Sequence, residues 1–113
     1  KLPAWAASEN IIYPPATNLE QTSSEATARF KEKLISEIAV RHRTGIDLTC
    51  GWGVDSFFLS HAFESWTCLE REPELLAMAQ HNHHQLGRHH IVYQNSSAED
   101  WLTHQTLEYD WMY

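Results

Sequence analysis

From Gly45 onward, short apolar runs alternate with longer helical segments, and this alternation constrains the fold more than any other feature of the sequence. Such alternation is typical of a parallel sheet whose strands are joined by crossover helices. The sequence therefore predicts an α/β fold. The predicted strands are Ile46–Thr49, Trp66–Glu70, Ile91–Gln94 and Tyr109–Tyr113.

Three helices are predicted between these strands, at Val54–Phe63, Pro73–Leu86 and Ala98–Leu107. Pro73 suits the first turn of the middle helix, where its missing N–H costs no hydrogen bond, and Gly87 suits the position just after the helix ends.

The residues before Gly45 predict a separate N-terminal part, so that the chain divides into residues 1–44 and 45–113. Three of the four prolines lie in the first 19 residues, which predicts an irregular arm with room for one helical turn. A helix is predicted from Thr22 to Arg43, because Thr22 and Glu25 have capping-box spacing and Gly45 suits the stop. Its predicted apolar face consists of Ala26, Phe30, Leu34 and Ile38, with Ile35 beside them.

Composition narrows the class of protein. The 113 residues suffice for one hydrophobic core, and the net charge of −7 repels a nucleic-acid backbone.

No apolar run approaches the ~20 residues of a membrane helix, so we expect a soluble protein without a membrane partner. Two cysteines are too few for a disulfide framework, which favours reduced thiols and the cytoplasm. Since the chain starts at Lys1 and ends in an aromatic, strand-like run, we expect an excised piece.

The segment from Asp47 to Asp55 carries the clearest functional signal. It is a predicted strand that ends in a turn with Gly51 and Gly53 and opens directly into a helix. The two glycines allow a ligand to approach the backbone closely, and the helix start adds N–H donors. Glycines at such turns also occur for purely steric reasons, so the turn alone does not decide the function.

Two further polar positions lie at or just after the ends of later predicted strands. Glu70 ends the second strand, where an acidic side chain can accept hydrogen bonds from both hydroxyls of a ribose, although a surface glutamate is equally compatible with the spacing. Ser97 follows the third strand, at the sheet edge where open α/β sheets bind ligands. It could approach an adenine edge or cap the helix that starts at Ala98.

In this order the three elements resemble the class I S-adenosylmethionine (SAM)-dependent methyltransferases, which have a Rossmann-like core. Asp47, Thr49, Gly51 and Gly53 are similar to the family's first motif, with Thr49 in place of its first glycine. The resemblance implies SAM as cofactor, with both glycines against its methionine part and Glu70 on its ribose. It further implies that Ser97 and Ala98 border the adenine, with Ser97 at a position where the family usually has Asp.

More narrowly, the segment from Gln21 to Phe30 together with the turn resembles a bacterial THUMP-like, trimethylguanosine-synthase-like branch. This implies methylation of a nitrogen on RNA, with the RNA bound mainly by regions outside this chain. Members carry Asp/Asn-Pro-Pro after the fourth strand, where this chain ends, so we assign no catalytic residue and expect the piece alone to be inactive. Asp110, near the entry end of its strand, is expected to be structural.

Two other functions stay open. A nicotinamide-dependent oxidoreductase shares the strand, turn and distant acid, but Ser56 stands at the position of its third glycine. A non-catalytic SAM-binding or scaffold module would keep the fold without the chemistry. We also expect an exposed fourth strand to promote self-association.

Several other residues are interpreted as structural. The histidines His81, His83, His84, His89 and His90 suggest the solvated face of a helix rather than a metal site. Trp52 and Trp101 are expected to pack rather than to flank a cofactor, and Cys50 to be a small buried filler.

Overall fold

A parallel sheet organises the computed structural model, which describes residues 2–15, 21–104 and 108–113. Its four strands are β1 (Thr44–Asp47), β2 (Ser65–Glu70), β3 (Ile91–Asn95) and β4 (Trp111–Met112). The strand order is β3-β2-β1-β4, and every neighbouring pair is parallel. The α/β fold expected from the sequence is confirmed.

Five helices are described together with the sheet: α1 (Pro3–Ala6), α2 (Glu25–Ile38), α3 (Val54–Leu59), α4 (Pro73–Gln85) and α5 (Ala98–His104). A 3₁₀ turn, Ser60–Ala62, follows α3 directly. Helix α4 begins at the proline and ends one residue before its predicted end. The last three residues of the predicted 98–107 helix lie outside the described residues.

Alternate residues of the inner strands face opposite sides of the sheet, and each side has its own buried cluster. Trp66 and Cys68 of β2 lie in the cluster that includes Leu76 and Ala79 of α4. Leu69, the neighbour of Cys68, instead packs with Ile46 and Trp101 on the other side. The sheet is therefore covered on both faces, as short apolar strands require.

Helix α2 differs from its prediction at both ends. It begins at Glu25 with Ser24 as the cap, because the Ser24 hydroxyl oxygen accepts a hydrogen bond from the Thr27 N–H at 3.2 Å. It ends at Ile38, five residues before the predicted end. Gly45 lies in β1 instead of stopping the helix, and a Cβ there would collide with the Trp66 ring. Gly45 thus serves the packing of the sheet.

The predicted apolar face of α2 was also wrong. Phe30, Leu34 and Ile38 are exposed by 65%, 44% and 55%, whereas Ala28 and Ile35 are buried. Polar contacts help to set this rotation. Glu25 accepts a hydrogen bond from the backbone N–H of Ala4 at 2.8 Å. Lys31, on the same helix, bonds to Asp55 of α3 and to Tyr113, which follows β4.

The N-terminal arm packs on the sheet-forming part of the chain. Trp5 of α1 is fully buried, with its ring 4.7 Å from that of Trp52. The buried side-chain amide of Asn82 accepts from the N–H of Ile12 and donates to its carbonyl, both at 2.8 Å. This pairing satisfies both backbone groups of Ile12, as a neighbouring strand would.

Strands β1 and β4 are shorter or shifted relative to their predictions. Strand β1 starts two residues early and ends at Asp47, so that Thr49 belongs to the turn. Only Trp111 and Met112 form β4, with Asp110 bonded to the start of β1. Within the described part of the chain, no helix is long and apolar enough to span a membrane.

Candidate functional site

Two adjoining cavities lie at the edge of the sheet where β1 and β2 end. The turn cavity, of about 230 Å³, is lined by Gln21, Thr22, Ser23, Thr49, Cys50, Gly51, Trp52, Gly53, Val54, Asp55 and Leu75. The edge cavity, of about 370 Å³, is lined by Gln21, Leu48, Thr49, Gly51, Glu70, Arg71, Glu72, Leu75, Ser96, Ser97, Ala98 and Glu99. The two share Gln21, Thr49, Gly51 and Leu75 and therefore adjoin, and we refer to the pair as the elongated depression.

The structure brings most of the predicted site residues to this depression. Thr49, Gly51, Gly53, Glu70, Ser97 and Ala98 all line one or both cavities. Asp47 is absent from both linings and is only 1% exposed. Its part in the site is therefore indirect.

The two glycines of the turn differ in what surrounds them. Both have positive φ, +57° at Gly51 and +88° at Gly53, where side chains are strained. A Cβ on Gly51 would meet no atom within 4 Å. A Cβ on Gly53 would lie 2.7 Å from Nε2 of His83 and 2.8 Å from the Cβ of Ala79. The glycine at 51 thus leaves open space, whereas the glycine at 53 makes room for helix α4.

Glu70 is joined to the turn by a direct hydrogen bond. Its Oε1 accepts from the Gly51 N–H and its Oε2 from the Glu72 N–H, both at 2.9 Å. A carboxylate oxygen can accept a second hydrogen bond, so both oxygens retain capacity for a ligand's hydroxyl groups.

Asp47 stabilises the turn through hydrogen bonds made in the protein interior. Its Oδ1 accepts from the Thr49 N–H at 3.0 Å, and its Oδ2 accepts from the Ser56 hydroxyl at 2.7 Å. The Ser56 oxygen in turn accepts from the indole N–H of Trp66 at 3.0 Å. Burial raises the pKa of Asp47 to about 6, although the hydrogen bonds from Ser56 and Thr49 oppose the rise.

Ser97 has the geometry of a helix cap while also lining the edge cavity. Its Oγ accepts from the Asp100 N–H at 3.1 Å, in the first turn of α5. Ala98 is the first residue of that helix. The capping role is therefore present, and contact with an adenine stays a prediction.

A polar cluster next to the turn cavity was not anticipated from the sequence. The Lys31 ammonium donates to the Ser23 hydroxyl at 3.0 Å and to the Tyr113 hydroxyl at 2.7 Å, and it lies 3.3 Å from Oδ2 of Asp55. Ser23 and Asp55 both line the cavity. The cluster joins α2, α3 and the end of β4 around the cavity, and no local sequence signal marks it.

The histidine-rich segment is not uniformly solvated, which corrects the prediction for one member. His83 is fully buried between the turn and β3, because α4 turns this side of the segment inward. His84, His89 and His90 are exposed, as expected of a solvated face. Among the described residues, no group of three or more His, Cys, Asp or Glu could hold a metal ion.

The tryptophans and the turn cysteine are buried. Trp52 lines the turn cavity at 3% exposure and donates its indole N–H to the Ile12 carbonyl at 2.9 Å, while Trp101 packs with Ile46 and Leu69. A hydrogen bond to Cys68, together with burial, raises the pKa of the Cys50 thiol well above its ordinary value. Cys50 is therefore unsuited to nucleophilic chemistry near neutral pH.

No family model matches the sequence, and no curated protein matches it. Solved structures do resemble the fold. A protein from Porphyromonas gingivalis W83, assigned as a methyltransferase, has a TM-score of 0.73 and 24% identity over 89% of this chain. An O-methyltransferase from Bacillus cereus, in complex with S-adenosylhomocysteine (SAH), has a TM-score of 0.68 and 13% identity over 92% of this chain.

An rRNA methylase from Streptococcus thermophilus also resembles this chain, with a TM-score of 0.54 and 16% identity over 60% of it. The chain covers 25% of the Porphyromonas protein, 56% of the Bacillus enzyme and 41% of the Streptococcus methylase. These likenesses show that the chain has the Rossmann-like α/β fold found in methyltransferases.

Proposed function

We propose that the chain binds SAM in the elongated depression and forms the cofactor-binding part of a SAM-dependent methyltransferase. The observation that carries this proposal is that two adjoining cavities extend from the glycine turn to Glu70 and Ser97. An elongated nucleoside with an amino-acid tail matches such a shape. The likeness to a methyltransferase solved with SAH supports the same ligand class.

The lining residues suit the parts of this ligand. The turn around Gly51, open where a Cβ would stand, would receive the amino-acid end. Glu70 would accept hydrogen bonds from the ribose hydroxyls, and Ser97 with Ala98 would border the adenine. Asp47 would keep the turn in place through Thr49 without touching the ligand. When bound, SAM supplies a methyl group on a positively charged sulfonium.

The charge of the depression favours SAM over a dinucleotide. Its lining carries four carboxylates and one guanidinium, from Asp55, Glu70, Glu72, Glu99 and Arg71. An excess of negative charge attracts a cationic ligand and repels a pyrophosphate. Ser56, where a dinucleotide site has its third glycine, is buried and bonded to Asp47. The nicotinamide-dependent alternative is therefore disfavoured.

We further propose that the acceptor is a nitrogen on RNA, as in the THUMP-like, trimethylguanosine-synthase-like branch that the sequence resembles. The rRNA methylase among the similar structures supports this acceptor class. A net charge of −7 provides no attraction for a phosphate backbone, so RNA would be held mainly by regions outside these residues.

Calorimetric titration with SAM, SAH and NAD tests the cofactor. We expect SAM and SAH to bind and NAD not to bind. Binding of NAD alone would overturn the proposal, and binding of none would favour the scaffold alternative. Transfer of labelled methyl groups from SAM to total RNA by the full-length gene product tests the acceptor, and labelling of protein only would exclude RNA.

Self-association through β4 remains part of the proposal. Within the described residues β4 is an edge strand that pairs only with β1, and its residue Met112 is 43% exposed. Unpaired strand edges favour contact with a second copy. Sedimentation velocity over a range of concentrations should show oligomers, and a monomer throughout would contradict this.

A further inference from the structure

His83 is a buried imidazole that no part of the proposed function uses. It lies on α4 with no exposed surface, and both ring nitrogens are hydrogen-bonded. Nε2 lies 2.7 Å from the Gly53 carbonyl oxygen, and Nδ1 lies 2.6 Å from the Tyr93 hydroxyl. The aromatic rings of Trp5 and Phe57 enclose the imidazole at 6.2 and 6.0 Å between centroids. His83 therefore connects the glycine turn to β3.

The partners of the ring decide which nitrogen carries its proton. A carbonyl oxygen can only accept, so Nε2 must be the donor toward Gly53. In a neutral imidazole Nδ1 is then an acceptor, and the Tyr93 hydroxyl supplies the proton for that hydrogen bond. Burial lowers the pKa of His83 to about 4, in agreement with a neutral ring. The Gly53 carbonyl thus fixes the tautomer, and the Tyr93 hydroxyl satisfies the acceptor nitrogen that results.

The bond to Gly53 orients a peptide group at the cavity. The peptide that joins Gly53 to Val54 is planar, and its C=O and N–H point in opposite directions. The Gly53 carbonyl also accepts from the Phe57 N–H at 3.0 Å, so His83 and the first turn of α3 together direct the Val54 N–H away from His83. Val54 and Gly53 both line the turn cavity. His83 also packs closely against Gly53, since a Cβ on this glycine would lie 2.7 Å from Nε2 of His83. This packing further restricts how the turn can move.

We propose that His83 is a positioning residue for the ligand-binding turn, and that Tyr93 acts through it by donating to Nδ1 and holding the ring in place. Neither side chain lines the cavities. Together they hold the Gly53–Val54 peptide in the orientation that the ligand meets. This inference rests on the proposed SAM site, because its effect is expressed as affinity for that ligand.

Two amide substitutions separate the donor function from the filling of space. In H83Q the side-chain amide reaches about as far as Nε2 and can still donate to the Gly53 carbonyl. In H83N it reaches only about as far as Nδ1 and cannot. Both variants lose the ring and bury a neutral amide, so they form a matched pair. His84→Asn, at an exposed neighbour, is the control.

The readout is SAH affinity by calorimetry, with the free energy of unfolding measured in parallel. We expect H83N to weaken SAH binding about tenfold, the size of one lost hydrogen bond, and H83Q to stay within about threefold of the original chain. Y93F should fall between them, because Nδ1 loses its donor while the bond from Nε2 to the Gly53 carbonyl can remain. Equal losses in H83N and H83Q, or no loss in either, would overturn the proposal.

Nuclear magnetic resonance of the unsubstituted chain gives a second test that needs no ligand. Long-range nitrogen–proton spectra should show the proton of His83 on Nε2, and a proton on Nδ1 would overturn the proposal even if no His83 variant folds. The Val54 amide signal should shift more in H83N than in H83Q. If the chain binds neither SAM nor SAH, the proposed function fails, whereas the tautomer and the amide shifts still decide the role of His83 in the turn.

Discussion

Glu70 and Gly51 are joined by a 2.9 Å hydrogen bond from the glycine N–H to the Glu70 carboxylate, across 19 residues of chain. The acid at the end of β2 therefore does two things at one place. It fixes the first glycine of the turn, and it brings a carboxylate to the edge cavity. Turn geometry and ligand recognition are coupled through this one side chain.

Replacing Glu70 with alanine should weaken SAH binding by about 1 to 3 kcal/mol, because ligand hydroxyls and the Gly51 N–H would lose their acceptor. E70Q should lose less, since its amide oxygen can still accept one of the two backbone bonds. Calorimetry measures both. Glu37→Ala, at an exposed position on α2, should leave the affinity unchanged. An E70A variant with the original affinity would remove Glu70 from the binding site.

The two turn glycines should respond differently to alanine. G53A should lower the free energy of unfolding by about 2 to 5 kcal/mol, because the left-handed backbone is strained and the Cβ collides with His83 and Ala79. G51A should cost only about 1 to 2 kcal/mol, from the backbone alone. Urea unfolding distinguishes them, and equal losses would contradict the difference in their surroundings. G51A should instead weaken SAH binding, since its Cβ enters the cavity.

Asp47 and His83 should give opposite pH dependences of stability. Burial raises the pKa of Asp47 from 3.8 to about 6, so its stabilising contribution is greatest at low pH and is lost as pH rises from about 4 to 6. Burial lowers the pKa of His83 from 6.5 to about 4, so its contribution is full above about pH 6.5 and is lost as pH falls to 4. Each effect amounts to roughly 3 kcal/mol, and over this window they largely cancel.

Single substitutions should reveal the pH dependence of stability that each of the two groups contributes. In D47N the remaining His83 effect should make stability rise from pH 4 to 6.5 more steeply than in the original chain. In H83Q the remaining Asp47 effect should make it fall over the same range, again relative to the original chain. Urea unfolding at several pH values measures the differences. Curves parallel to that of the original chain would show that these groups do not titrate as described.

Asp110 should matter for stability and not for ligand binding. Its Oδ2 accepts from the backbone N–H groups of Arg43 and Thr44, at 3.0 and 3.1 Å, at the start of β1. D110A leaves both donors without this acceptor, so the free energy of unfolding should fall by about 1 to 3 kcal/mol. SAH affinity, measured on the folded variant, should stay the same. A selective loss of affinity would contradict the structural role.

The parts of the fold that were predictable depend on local chemistry. Helix α4 follows its prediction closely because Pro73 and Gly87 act on their own neighbours. The rotation of α2 was not predictable, because its polar anchors include the contact of Lys31 with Tyr113, 82 residues along the chain. A sequence pattern contains no information about such partners.

In the candidate site, too, some residues were predictable from local sequence and others depend on distant contacts. Gly51, Glu70 and Ser97 were predictable because each lies at or just after the end of a strand, and the ends of parallel strands meet at one edge. His83 was misjudged, since a buried imidazole in a run of polar residues looks like an exposed one until the residues packed on it are known. Gln21 and Ser23, just before α2, line the turn cavity, but the contact of Lys31 with Ser23 and Asp55 depends on how α2 packs.

The residues that hold the glycine turn in place are synthesised after the turn itself. As the chain is synthesised, residues 51–53 leave the ribosome before Glu70, which is 19 residues later than Gly51, and before His83, which is 30 residues later than Gly53. Tyr93 comes 10 residues later still. Contacts this distant cannot form until the later segment has emerged. A nascent chain should therefore acquire affinity for its ligand only after β3 has been made, so that ligand capture would report the progress of folding.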